Sequence, residues 1–119
     1  MATKRKTTLG EAAKIIGEKY ALHGGSGAYE IPTGLWDRGF ESVSIFIGEE
    51  NGYVELNDIA EIANGIGDFL TETELKNLAE KYGFTLKNWH IVKPFEGIED
   101  VDAFVSLAEE LLEKGRNRR

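Results

Sequence analysis

Glu55 and Asp58 are two carboxylates three residues apart, on either side of a predicted junction between a strand and a helix. This placement lets the two side chains converge, and Asp37 is a third candidate carboxylate. Carboxylate oxygens are the protein ligands through which Mg²⁺ is usually held. These residues therefore define one functional hypothesis, a carboxylate-based metal-dependent enzyme or enzyme subunit.

The residues that other chemistries require do not occur in the necessary patterns. The sequence contains no cysteine, which excludes disulfides and thiolate metal sites. Its serines lie in no Gly-x-Ser-x-Gly motif. The glycine-rich stretch 24–27 follows a predicted helix and precedes a strand, whereas a phosphate-binding loop leads into a helix. We therefore predict no catalytic residues, no bound metal and no cofactor.

The two histidines are predicted to lie in structural or surface positions. His23 follows a predicted helix, where a cationic side chain interacts favourably with the helix dipole. His90 lies in a predicted strand, so it points outward if its neighbours Trp89 and Ile91 face the core. No cluster of further ligands accompanies either residue, and we predict His90 as a surface or interface residue.

The stretch Trp36-Asp37-Arg38-Gly39-Phe40 places two aromatic residues around an ion pair in a predicted turn. Tryptophan and arginine are enriched among the residues that dominate binding energies at interfaces. The stretch is therefore either a structured loop that packs Trp36 on the sheet or an exposed contact point. Together with outward-facing positions elsewhere, the candidate interaction residues are Trp36, Asp37, Arg38, Tyr53, Glu55, Asp58 and His90.

Charge is distributed unevenly along the chain. The formal net charge is -7, from 14 basic and 21 acidic side chains. Six of the basic side chains lie in residues 4–6 and 116–119, which leaves residues 7–115 with 8 basic and 21 acidic side chains and a net charge of -13. A body this acidic repels nucleic acid and attracts basic partners, unless the charge serves solubility alone.

Several helices are predicted from their caps and apolar spacing. Thr8 with Glu11, and Thr71 with Glu74, form predicted capping boxes. The first helix is predicted over about 9–22, ending at the glycines that follow. A short helix is predicted to begin at residue 57 or 58 and to end at residue 65. The last helix is predicted to begin near residue 99 and to stop at residue 115.

The strands are predicted from alternation and turn residues. A first strand over 28–35 carries Pro32, which favours an edge or a bulge. The second strand, 41–48, and the third are joined by Asn51-Gly52, the preferred sequence of a two-residue type I′ turn. That turn pairs residue 47 with 56 and residue 49 with 54, which buries Val54 and Leu56 and turns Tyr53 and Glu55 outward. A further strand is predicted over 86–92.

The predicted fold is α+β: a three-stranded antiparallel meander plus a further strand, packed by helices in the order α-β-β-β-α-α-β-α. The length of 119 residues predicts a single domain over 1–119, with flexible basic tails at 1–6 and 116–119. No secretory signal or membrane-spanning run is present in the sequence, so we predict a cytoplasmic protein without membrane contact.

The layout resembles the DUF1828 type, small bacterial and phage proteins of unassigned function. The resemblance covers about residues 28–112. Its motifs are Ile31-Pro32-Thr33, "VSIFI" at 43–47, the Asn-Gly hairpin, "VELNDIAEIANGIG" at 54–67 and "LKNLAEKYGF" at 75–84. The family usually places Asp-Gly after the third strand, whereas here Asp58 precedes Ile59. The resemblance implies no catalytic residues and a phage or mobile-element setting.

Three functional hypotheses follow. The leading one is a non-enzymatic acidic protein-interaction module that regulates or inhibits a larger partner with a basic surface. The second is the carboxylate-based metal-dependent enzyme. The third is nucleic-acid binding through the basic tails, which the acidic body disfavours. A homodimer formed through an exposed first strand is a further hypothesis.

Overall fold

The chain forms an antiparallel sheet of six strands and three helices within the residues that the structure, a computed structural model, describes: 8–24, 27–36, 42–50, 53–58 and 70–117. The helices are α1 (Leu9–Gly17), α2 (Glu72–Lys81) and α3 (Ile98–Asn117). The strands are β1 (His23–Gly24), β2 (Ala28–Trp36), β3 (Ser42–Glu50), β4 (Tyr53–Asn57), β5 (Thr85–Lys87) and β6 (His90–Pro94). The predicted α+β class is confirmed.

The sheet has the strand order β1-β2-β3-β4-β6-β5, and the predicted meander β2-β3-β4 forms its centre. Ile47 pairs with Leu56, and Glu49 with Val54, as predicted from the two-residue loop. Val54 and Leu56 are buried, whereas Tyr53 is 58% exposed. The register of β2 on β3 shifts between Pro32 and Trp36, so the pairing is irregular just after the proline for which an edge or a bulge was predicted. The sequence therefore predicts both the pairing and the orientation of this hairpin.

The predicted number of strands was wrong. Residues 86–92 were predicted as one strand, but they form the β5–β6 hairpin, in which Lys87 pairs with His90. Asn88 and Trp89 connect the two strands with φ values of 51° and 65°. These left-handed conformations reverse the chain in two residues, so Trp89 lies in the turn and is 37% exposed instead of facing the core. The sixth strand is the short β1, which pairs with Tyr29 and Glu30 of β2.

Helix beginnings were predicted more accurately than helix ends. Thr8 and Thr71 cap α1 and α2 with their side chains, and Thr71 with Glu74 completes the predicted capping box. However, α1 ends at residue 17 and not near 22, and α3 continues to residue 117, past the glycine that was predicted to stop it. The short helix was predicted to begin at residue 57 or 58 and to end at 65; Asn57 is the last residue of β4, and residues 59–65 lie outside the described residues.

The core lies between the helices and one side of the sheet. Its fully buried members include Ile45, Ile47 and Leu56 from the central strands and Phe104 from α3. Phe84, at the start of the β5–β6 hairpin, packs on Phe104 with ring centroids 4.7 Å apart. Helix α3 also contacts α1 and α2, so it is the central element of the helical layer. No helix in the described part of the chain has the length and apolar character needed to cross a membrane.

Two tyrosines attach the shorter helices to α3. Tyr20 follows α1 and donates its hydroxyl to Asp102, which also forms a 2.8 Å ion pair with Lys19. Tyr82 follows α2 and donates to Glu110 at 2.8 Å. Burial, followed by the hydrogen bond to Asp102, raises the pKa of Tyr20 to about 12. The pKa of Asp102 is lowered by its hydrogen bonds from Lys19 and Tyr20.

We expect Tyr20→Phe to lower the free energy of unfolding by about 1 kcal/mol at neutral pH, because one hydrogen bond to a carboxylate is lost. The folded state favours the neutral phenol, so this contribution is complete below pH 10 and is lost as pH rises towards about 12, through the raised pKa of Tyr20. Urea unfolding of the wild type and the variant across this range measures the difference. A difference that grew with pH would contradict the expectation, and Tyr82→Phe is the matched variant on α2.

Candidate functional site

The side of the sheet opposite the helices, here called the open face, carries the side chains that alternate with the core. Its main feature is a groove of about 640 Å³, here called the groove, which crosses β4, β6 and β5. The groove residues are all exposed or half-buried, and they are Tyr53, Glu55, Asn57, Thr85, Lys87, Asn88, His90, Val92 and Pro94.

Strand pairing brings the groove residues together. Glu55 lies opposite Pro94, and Asn57 lies opposite Val92. Val92 also lies opposite Thr85 on the other side of β6. Because directly opposite residues point to the same side of a sheet, three strands contribute side chains to one surface. The groove is thus built on paired strands, which hold its walls in a defined geometry.

His90 is held at one end of the groove. Its Nδ1 lies 3.3 Å from Oδ1 of Asn57, across the β4–β6 pair. An amide oxygen can only accept, so a hydrogen bond in this position places the imidazole proton on Nδ1. Lys87 lies directly opposite His90 on β5. His90 therefore faces the open side, as predicted, although through a hairpin and not a single strand.

A second hollow of about 220 Å³ extends the groove across β3. It shares Glu55 and Asn57 with the groove and adds Phe46. Nearby on the same face, the hydroxyl of Ser44 donates to the carboxylate of Glu30 at 2.6 Å. Together the two hollows form one surface on which Glu55 lies among aromatic, apolar and uncharged polar side chains.

Asp58 does not line this surface. It is fully buried, and its Oδ1 accepts the backbone N–H of Ile91 at 2.7 Å, while its own N–H donates to the carbonyl of Ile91 at 3.2 Å. Asp58 thereby extends the β4–β6 pairing by one residue beyond the end of β4. The hypothesis that Glu55 and Asp58 converge on one metal ion does not fit this arrangement, because only Glu55 lines the groove.

The candidate interaction residues from the sequence divide into three groups. Tyr53, Glu55 and His90 lie together in the groove, and Asp58 is a buried structural residue. Trp36 is the last residue of β2, and its side chain is not described. Asp37 and Arg38 lie outside the described residues, so their predicted role in a contact stays a prediction.

Sequence reasoning missed several groove residues. Asn57 has the same strand parity as Tyr53 and Glu55, so the alternation in β4 was a signal that pointed to it. Lys87 and Pro94 had no such signal, because their positions depend on the unpredicted β5–β6 hairpin and on its pairing with β4. Among the described residues, no group of three or more His, Asp or Glu side chains is arranged to hold a metal ion.

The predicted homodimer depends on a free edge of β2. Strand β1 pairs with only Tyr29 and Glu30 of β2. Beyond Glu30, no described strand pairs with the outer side of β2. The homodimer therefore stays a prediction.

Comparisons with protein-family models, with curated proteins and with solved structures find no match for this chain. The resemblance to the DUF1828 type consequently stays a prediction.

Proposed function

We propose that this chain is a non-enzymatic protein-interaction module that binds a basic segment of a larger partner in the groove. The observation that carries the proposal is the open face itself. Strands β4, β5 and β6 place aromatic, apolar and acidic side chains side by side on a surface that the described helices leave uncovered. Such a mixture of an aromatic contact area with oriented polar groups is typical of protein-binding surfaces.

The charge of the chain supports a basic partner. Residues 7–115 carry a net charge of -13. On the open face, the carboxylate residue Glu55 lines both hollows. Lys87 is the single lysine or arginine among the residues that line these two hollows. A cationic segment is therefore attracted at long range, and Glu55 offers it a carboxylate in the groove.

The resemblance to the DUF1828 type adds a setting to this proposal. Small proteins of phages and mobile elements frequently act by binding and regulating a larger protein. In this setting the chain acts as a regulator or inhibitor in the cytoplasm. Binding through the open face requires no catalytic residue, so the proposed role is non-enzymatic.

A titration with a cationic peptide tests the proposal. The isotopically labelled full chain is titrated with a synthetic peptide of alternating arginine and serine, and amide shifts are followed by NMR. We expect the largest shifts in β4, β5 and β6. We expect the double variant Tyr53→Ala, Glu55→Gln to bind about tenfold more weakly, because an aromatic contact and a charge contact are both removed. Affinity falls as ionic strength rises.

Matched variants on the helical side distinguish binding in the groove from a general effect of the net charge. Glu113→Gln removes the same charge from an exposed position on α3, and Ile15→Ala removes an exposed apolar side chain from α1. We expect both to bind the peptide as the wild type does. Equal loss of affinity in Glu113→Gln and Glu55→Gln overturns the proposal, as does equal binding of a peptide of alternating glutamate and serine.

A further inference from the structure

Trp89 occupies a backbone conformation that its residue type disfavours. It is the second residue of the two-residue turn between Lys87 and His90, with φ 65°. Two-residue turns with positive φ at both positions favour asparagine or aspartate first and glycine second. Asn88 satisfies the first preference, with φ 51°. Trp89 does not satisfy the second, because a side chain with a Cβ is strained in the left-handed region.

Neither the turn nor the core explains a tryptophan at this position. Glycine would satisfy the turn geometry without strain. The core contribution of this hairpin comes from Ile91, which is fully buried, and from Leu86 opposite it. Trp89 instead remains 37% exposed, one of three exposed large hydrophobic side chains among the described residues, with Tyr53 and Ile15.

The position of Trp89 connects it with the groove. Its two neighbours along the chain, Asn88 and His90, both line the groove. Tyr53 lines the groove as well. Because β4 and β6 run antiparallel, with Glu55 opposite Pro94 and Asn57 opposite Val92, Tyr53 and the turn lie at opposite ends of the paired strands. Exposed aromatic residues therefore stand at both ends of the surface proposed above to bind a basic segment.

We propose that Trp89 is the aromatic anchor of this interface, and that it receives a cationic side chain of the basic partner on its indole face. This inference rests on the proposed function and assigns the residue that recognises the positive charge. The indole ring gives the most favourable cation–π interaction among aromatic side chains. Holding the ring at the tip of a short, paired hairpin limits the conformational freedom that is lost on binding.

Substitution of Trp89 by alanine and by glycine distinguishes the contribution of the indole ring to binding from that of the turn conformation. Both variants lack the indole, but glycine relieves the backbone strain and alanine does not. We expect both to bind the arginine–serine peptide about tenfold more weakly than the wild type. We also expect the glycine variant to unfold at a higher denaturant concentration than the alanine variant. Trp89→Phe retains an aromatic face and is expected to bind with an intermediate affinity.

A spectroscopic measurement follows the ring directly. The indole Nε1–H resonance of Trp89 is assigned by its absence from the spectrum of Trp89→Phe. It is expected to shift as the peptide is added to the wild type. An indole resonance that does not move overturns the inference, and so does a glycine variant that regains wild-type affinity, since the turn would then be the determinant.

The two proposals fail in distinguishable ways. If the alanine and glycine variants bind the peptide as the wild type does, while the Tyr53→Ala, Glu55→Gln variant binds weakly, then Trp89 is not the anchor and the groove remains the binding site. If the wild type does not bind the peptide, the proposed function fails and the inference about Trp89 fails with it.

Discussion

Replacing Asp58 with alanine is expected to lower the free energy of unfolding by about 3 kcal/mol, because a buried backbone donor loses its side-chain acceptor. Asp58 is fully buried, and its Oδ1 lies 2.7 Å from the backbone nitrogen of Ile91. In the alanine variant, the N–H of Ile91 is left in a site that water does not reach. Chemical denaturation with a fluorescence or circular dichroism readout measures this loss.

The same substitution is expected to weaken the β4–β6 pairing. Asp58 continues that pairing beyond Asn57, the last residue of β4, through a reciprocal contact with Ile91. Amide hydrogen exchange of Ile91 and Lys93, whose backbone groups face β4, is therefore expected to be faster in Asp58→Ala than in the wild type, beyond the change that the global stability accounts for. Unchanged exchange at these two amides would show that Asp58 does not hold the strands together.

Asparagine at position 58 is the control that distinguishes a structural carboxylate from a catalytic one. Its side-chain oxygen still accepts the N–H of Ile91, so we expect Asp58→Asn to cost only about 1 kcal/mol. Its affinity for the arginine–serine peptide is expected to equal that of the wild type, because Asp58 does not line the groove. A loss of function in Asp58→Asn without a loss of stability would support the carboxylate enzyme instead.

Replacing Phe104 with alanine is expected to lower the free energy of unfolding by about 4 kcal/mol, since a fully buried aromatic side chain is removed from the centre of the core. Phe104 lies on α3 and packs on Phe84 with ring centroids 4.7 Å apart. Phe84 immediately precedes β5, so this contact connects the helical layer to the hairpin that forms one wall of the groove. Urea unfolding of the wild type and the variant measures the effect.

The contact between the two phenylalanines is isolated by a double-mutant cycle. Phe104→Leu preserves much of the volume and is expected to cost about 1.5 kcal/mol or less. Combining it with Phe84→Leu is expected to reveal a coupling of about 1 kcal/mol, in the range of aromatic pairs. Additive effects of the two leucine substitutions would mean that the rings stabilise the protein only through burial.

Loss of this aromatic contact also has an expected consequence for binding. In conditions where Phe104→Leu remains folded, faster hydrogen exchange is expected in β5 than in β3, because Phe84 is attached directly to β5. A looser β5–β6 hairpin holds Lys87, Trp89 and His90 less rigidly, so the peptide affinity is expected to fall modestly. Equal exchange in β3 and β5 would show that the contact between Phe84 and Phe104 does not stabilise the hairpin that forms the groove.

The features that the sequence determined by itself are those set within a few residues. The β3–β4 register follows from a two-residue loop and from period-two alternation, because a shift by one residue would turn Val54 and Leu56 away from the core. The caps at Thr8 and Thr71 depend on residues only three positions away. The outward direction of Tyr53 and Glu55, and so part of the groove, follows from the same alternation.

Only the tertiary structure decided the features that depend on contacts between distant residues. Helix α1 ends at Gly17, and Tyr20 in the following turn donates to Asp102, a residue 82 positions away. Asp58 is a backbone acceptor because Ile91, 33 positions later, lies beside it. The groove needs β6 to pair with β4 and β5 to fold back at Asn88 and Trp89, where the tryptophan takes a positive φ against its local preference. Local propensity is worth about 1 kcal/mol or less per residue, so long-range pairing and burial outweigh it at these positions.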